Sequence, residues 1–107
     1  MDLPERVRLL LPDAVEKRMF GRSGFMVEGA LACAAGTAGL LVRVDPAEQG
    51  ALVKQEGVAP MVMGGRRSRG WVEVAPDVLS EEEALASWVG RGVERARAVA
   101  RGGATGS

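Results

Sequence analysis

Apolar residues recur along the chain with two different periods, and the switches between them divide it into helices and strands. Leu3, Val7, Leu10 and Leu11 fall on one helical face. Asp2 can cap that helix, Pro4 sits in its first turn where a missing N–H costs nothing, and Pro12 ends it. Val15 to Phe20 reads as a strand, Gly21 to Gly24 as a turn, and Phe25 to Glu28 with Leu31 to Ala34 as a hairpin about Glu28 and Gly29. The two segments flanking Gly21 can equally be one bent strand. After a turn at Gly36 to Gly39, Leu40, Val42 and Val44 alternate with Leu41, Arg43 and Asp45, the pattern of a strand with one buried face.

Asp45, Pro46 and Glu48 then place a cap, a first-turn proline and an N3 carboxylate in order, which predicts a second helix stopping at Gly57. It is weak, because Gly50 lies in its interior and its apolar face is thin. Pro60 to Met63 and Trp71 to Ala75 read as two strands joined by a loop from Gly64 to Gly70, with Pro76 closing the pair. In the last helix Ser80 is the expected cap, Glu81 to Glu83 lie at the positive end of the dipole, and Arg95, Arg97 and Arg101 crowd the negative end. Leu85, Trp88, Val89, Gly92, Val93, Ala96 and Ala100 make its apolar stripe. The order is helix, several strands, helix, two strands, helix. Short turns between strands favour antiparallel pairing, so the predicted class is α+β, with helices packed on one antiparallel sheet.

A chain of 107 residues has room for one core. The expected domain is residues 1–101, with a glycine-rich, disordered tail at 102–107. With 47% hydrophobic and 26% charged residues the composition is that of a globular protein. The aromatics are Phe20, Phe25, Trp71 and Trp88, each expected first as a core anchor. Fourteen basic residues balance fourteen acidic ones, so no global positive field of the kind that holds a protein on a phosphate backbone is present. Near the N-terminus the longest apolar run is Leu9 to Leu11, too short for a signal-peptide core or a membrane span, and a cytoplasmic, reducing location is expected.

The absence of histidine removes the commonest general base, the commonest metal ligand and every Ser-His or Cys-His nucleophile pair. Cys33 is the single cysteine, excluding an intramolecular disulfide and a thiolate zinc cluster, and its apolar strand predicts a buried, inert thiol. Glu81, Glu82 and Glu83 point about 100 degrees apart on a helix and do not converge on a metal. No enzyme, cofactor or metal is therefore expected. Gly21-Arg22-Ser23-Gly24 matches a bare GxxG clamp, but it lies between strands and reads better as a turn. The most suggestive local feature is Arg66, Arg67 and Arg69 on the Gly64 to Gly70 loop beside Trp71. Guanidinium groups next to an aromatic can hold a single-stranded nucleic acid by phosphate contact and stacking. Solvated arginines with Trp71 facing the core are the favoured alternative.

Several short segments, taken in order, carry a resemblance: Glu16-Lys17-Arg18-Met19-Phe20-Gly21, Gly24-Phe25-Met26-Val27, Ala32-Cys33, Leu41-Val42-Arg43-Val44, Pro60-Met61, Gly65-Arg66, Gly70-Trp71-Val72 and Trp88-Val89. Together they resemble the N-terminal domain of the TfoX/Sxy competence regulators over about residues 3–100. The resemblance implies a helix, strands, helix, strands, helix architecture similar to that of bacterial secretion chaperones. It also implies a non-enzymatic role in transcription regulation, with no catalytic residue to carry over. Longer members carry a second, C-terminal domain, and this chain reads as a stand-alone short form. The expected function is an interaction or regulatory module that binds a protein partner or itself, in the latter case as a homodimer, with no membrane. Lys17, Arg43 and Arg66 form its candidate basic face, and single-stranded nucleic-acid binding through Arg66, Arg67, Arg69 and Trp71 is the alternative.

Overall fold

Two side chains close the first helix on themselves. The Asp2 carboxylate accepts the Glu5 N–H at 2.9 Å while the Glu5 carboxylate accepts the Asp2 N–H at 3.0 Å. This reciprocal box, with Pro4 in the first turn, starts α1 over Leu3–Leu10, and Val7 is the residue it buries. In the computed structural model, which describes residues 1–102, the chain continues through β1 (Val15–Met19), β2 (Arg22–Val27), β3 (Ala30–Gly36) and β4 (Gly39–Arg43). It goes on through α2 (Gln49–Leu52), β5 (Val58–Met63), β6 (Arg66–Val74), a 3-10 turn (Val78–Ser80) and α3 (Glu82–Ala100). The six strands among the described residues form one sheet in the order β1-β2-β3-β4-β6-β5, every neighbouring pair antiparallel. The α+β class and the element order are those expected from the sequence. Of the expected disordered tail, Gly102 ends α3 in a left-handed turn and residues 103–107 lie outside the described residues.

Local details differ from the sequence-based expectation where turns are tighter than they read. The bend at Gly21 is a two-residue turn of Phe20 and Gly21, both with positive φ, and Gly24 belongs to β2. Such primed turns match the twist of the flanking strands, which makes β1 and β2 a hairpin and not one bent strand. Gly64 and Gly65 make a second turn of this kind, so the expected loop from Gly64 to Gly70 is mostly strand: Arg66, Arg67 and Arg69 lie on β6. The second helix is short, because the Asp45 carboxylate accepts the Ala47 N–H at 2.9 Å in a turn and regular helix begins only at Gln49. Ser80 is not the cap of α3. Its hydroxyl donates to the Asp77 carbonyl within the 3-10 turn, and Glu81 holds the cap position without a side-chain bond.

The core lies between one sheet face and α3. Phe25, Cys33, Leu40, Val42, Val72 and Val74 face Leu85, Trp88, Val89, Val93 and Ala96, with Val7 of α1 and Leu79 of the 3-10 turn closing one end. Two aromatics, Phe25 and Trp88, are core anchors as expected; Phe20 and Trp71 are not. β4 is also buried on both faces, since Leu41, which alternation assigns to solvent, is only 6% exposed.

α3 descends onto the sheet at one glycine. β3 carries one extra residue at Ala32 between its pairings to Phe25 and Met26 of β2, and a Cβ placed on Gly92 would lie 2.5 Å from the Ala32 carbonyl oxygen. Gly92→Ala is expected to destabilise the fold by about 1–3 kcal/mol, because a methyl cannot displace backbone. Gly90→Ala, where nothing lies within 4 Å of the added Cβ, is expected to stabilise by up to about 1 kcal/mol through helix propensity. Urea midpoints of the two variants, moving in opposite directions, check this.

Candidate functional site

The Arg-rich stretch before Trp71 owes its shape to a wide bulge in β6. Val72 pairs with Pro60 of β5, yet the next β5 residue, Met61, pairs with Ser68, so Arg69, Gly70 and Trp71 leave the β5 ladder. They follow the end of β4 instead: Trp71 lies opposite Arg43, and Gly70 O accepts the Val44 N–H at 2.8 Å. The bulge frees two carbonyls, and the buried Gln49 side chain satisfies both, its Nε2 donating to Ser68 O at 2.5 Å and to Trp71 O at 2.7 Å. Trp71 is thereby turned half-buried onto the face of the sheet that α3 does not cover.

Arg43 is fixed by the same irregular end. The β3–β4 ladder stops at Cys33 and Val42, and beyond it the Arg43 Nε–H donates to Leu31 O at 2.6 Å. Its guanidinium carbon lies 4.7 Å from the Trp71 ring centroid, a cation–π contact. Arg43, Arg69 and Arg95 line one cleft of about 430 Å³ between the β6 bulge and the C-terminal half of α3. Burial, and secondly the charge of Arg95, push the Arg43 pKa below its ordinary value.

Of the residues expected at a site, Arg43, Arg69 and Trp71 are therefore brought together. Arg66 and Arg67 lie further out on the exposed β5–β6 arm and do not line the cleft. Lys17 is on β1, in the cross-strand row Lys17–Gly24–Ala34–Leu41 and three strands from β4, so it does not join Arg43. The sequence position of Arg95 points to the helix dipole alone. The signal for it is its place one turn beyond Gly92, where α3 passes close over the Ala32 carbonyl.

The uncovered sheet face is apolar at its centre. Leu31, Ala34, Leu41, Met61 and Trp71 line a shallow hollow of about 130 Å³, with Phe20 at its side. Phe20 is 73% exposed and has a φ of 53°, a left-handed conformation that is sterically unfavourable for a bulky side chain. On the same face Arg22 and Glu73 pair at 2.6 Å, and Met19 packs beside Leu31 over Gly24.

A family model described as the TfoX N-terminal domain matches residues 8–96. The chain belongs to that family. The fold of this TfoX N-terminal domain is shared with the crystal structure of a protein from Pseudomonas syringae. The two are 13% identical, with a TM-score of 0.67 over 90% of this chain and 99% of that one. At that identity the likeness is one of fold. No protein of curated function matches the sequence.

Elsewhere in this TfoX N-terminal domain, one of the three contiguous glutamates is engaged in the fold. Glu82 pairs with Arg6 at 2.6 Å, and Arg6 also donates to Leu79 O, which ties α1 to the start of α3. Of the GxxG stretch, Gly21 lies in the turn while Arg22, Ser23 and Gly24 belong to β2. Among the described residues no group of three or more carboxylates or thiols is placed to hold a metal, and no helix is long and apolar enough to cross a membrane. Cys33 is fully buried, and burial pushes its thiol up to about 12.

Two measurements follow. Gln49→Ala strands Ser68 O and Trp71 O, and is expected to cost about 1–3 kcal/mol while shifting the Trp71 indole resonance; chemical denaturation and NMR check both. The folded Cys33 thiol keeps its proton to about pH 12, whereas an unfolded one loses it near 9.0. Stability is thus full below pH 9.0 and falls as pH rises through that window. At neutral pH a thiol reagent should label the chain only at its rate of opening, and fast labelling of the folded protein would contradict the assignment.

Proposed function

We propose that this chain is a non-enzymatic cytoplasmic interaction module, regulatory in the sense its family resemblance implies, that binds a protein partner or a second copy of itself through the uncovered sheet face. The observation that carries this is Phe20. A phenylalanine at positive φ costs of order 1 kcal/mol or more, and its 73% exposure returns no burial within the chain. An asparagine or glycine would make the same turn without strain. The unfavourable residue stands beside a hollow lined by Leu31, Met61 and Trp71, where a partner's apolar side chain would complete the burial. Support for a non-enzymatic role comes from the lack of histidine and from the buried, proton-retaining Cys33.

Single-stranded nucleic-acid binding has less support. Arg43 already occupies a face of the Trp71 ring, and Arg66 and Arg67 lie outside the cleft that contains it.

Phe20→Asn tests the proposal, because it relieves the strain while deleting the aromatic. Sedimentation velocity over a wide concentration range and retention on immobilised protein are expected to show an associated species or a bound partner with the wild type. Both are expected to disappear in Phe20→Asn, whose melting temperature is unchanged or higher. A strict monomer, with nothing retained on wild type beyond what Phe20→Asn retains, would overturn it.

A further inference from the structure

We propose that the cleft between the β6 bulge and α3 is a binding site for a small phosphomonoester whose phosphate is held by Arg43, Arg69 and Arg95. The site lies at the end of the sheet and goes beyond the protein-binding role assigned to the open face.

The charge pattern is the first argument. Arg6, Arg8, Arg22, Arg91, Arg97 and Arg101 each have a carboxylate within 4 Å. Arg43, Arg69 and Arg95 have none among the described residues, and no carboxylate lines their cleft. Arg18, Arg66 and Arg67 are also unpaired, but they do not converge. Arg43 is half-buried, and its pKa is lowered by burial and by the charge of Arg95. Like charges gathered in a partly desolvated cleft are unfavourable in the free protein, and a bound dianion removes that cost.

The second argument is preorganisation. Arg43 is held through Nε by Leu31 O and by its contact with Trp71, while its terminal nitrogens have no protein acceptor among the described residues. A guanidinium so oriented loses little further freedom when it meets an anion. A phosphomonoester has three terminal oxygens and close to two negative charges at neutral pH, which suit three guanidinium groups better than one carboxylate does.

The third is size. About 430 Å³ falls in the range of small-molecule sites and exceeds what phosphate alone fills. Trp71, Val44, Pro46 and Val99 supply apolar wall for an organic portion, and Ser68 lies within the lining. Arg95 also borders a neighbouring hollow that contains Asp45, Glu48 and Glu94, so those carboxylates compete for it and set the affinity a ligand must exceed.

The test titrates the full chain with inorganic phosphate and with a nucleoside monophosphate at fixed ionic strength, chloride compensating, while NMR follows arginine Nε–H and tryptophan indole N–H resonances. Saturable shifts are expected at Arg43 and Trp71, with Trp88 still. Arg69→Gln and Arg95→Gln should each weaken binding roughly tenfold, and Arg67→Gln by less than about twofold. Arg43 is left intact in these variants because it also holds Leu31 O. The proposal fails if the shifts do not saturate, if chloride reproduces them, or if Arg67→Gln weakens binding as much as Arg95→Gln. It fails also if a single-stranded oligonucleotide binds more tightly than the monophosphate with affinity that grows with length, which would give the cleft to a nucleic-acid backbone.

Discussion

The seat of α3 on the sheet depends on one close approach, the passage of Gly92 over the carbonyl of Ala32. A helix normally rides on the side chains of a sheet at a height set by the largest of them. Here β3 offers Ala30, Ala32, Cys33 and Ala35 beneath the helix, and the extra residue at Ala32 raises backbone toward it. With no side chain at position 92 the helix backbone can meet that carbonyl, and Leu85, Val89, Val93 and Ala96 then reach the valine layer of β4 and β6. The consequence for the surface is positional. Arg95, one turn beyond Gly92, is brought down beside Arg43 and the β6 bulge, where a helix seated higher would hold it out in solvent.

A second irregularity meets the first at the same end of the sheet. Regular pairing of β6 along β5 would carry Arg69 and Trp71 onto the β5 ladder. The bulge diverts them toward β4, and it persists because Gln49, from a four-residue helix with little apolar face of its own, reaches in to satisfy the two freed carbonyls. The short α2 is thus explained by its buried amide more than by its hydrophobic packing. Arg43 does the corresponding service for Leu31 O, where β3 and β4 part. The cleft is what remains between two strand ends and a helix that cannot follow both.

These causes set how much could be read in the sequence. Elements whose signals are local were legible: the Asp2 cap, the Glu28–Gly29 hairpin and the apolar stripe from Leu85 appear in the fold where their patterns put them, although the stripe ends at Ala96 and Ala100 is exposed. The family assignment was legible too, through an ordered series of short segments. What failed were features decided by partners far along the chain. Nothing within residues 64–71 shows that Gln49 will hold a bulge there, so arginines that read as a loop became strand. Leu41 read as exposed because alternation cannot tell that the second face carries its own apolar centre. Arg95 read as dipole complement because its neighbours across the sheet, Arg43 and Arg69, are remote in sequence. Phe20 misled in the opposite way: aromatics are normally core, and only the two-residue turn at Phe20 and Gly21 reveals that this one cannot turn inward.

Two features of the molecule work against its own stability, and both are on surfaces the core does not need. A left-handed, solvent-exposed Phe20 contributes strain without burial, and Arg43 and Arg95 repel each other without a bound counter-charge. Neither follows from packing, since a polar turn residue and a neutral side chain at position 95 would leave the layer of Val42, Val72, Val89 and Val93 as it is. Elsewhere the chain shows the usual economy: the paired arginines meet carboxylates, and no buried side-chain polar atom among the described residues lacks a partner. Local departures from an otherwise consistent sequence are the expected signature of sites kept for contact with something else. Here they divide by chemistry, an apolar one on the open face and a cationic one at the sheet end, joined through Trp71, which borders both.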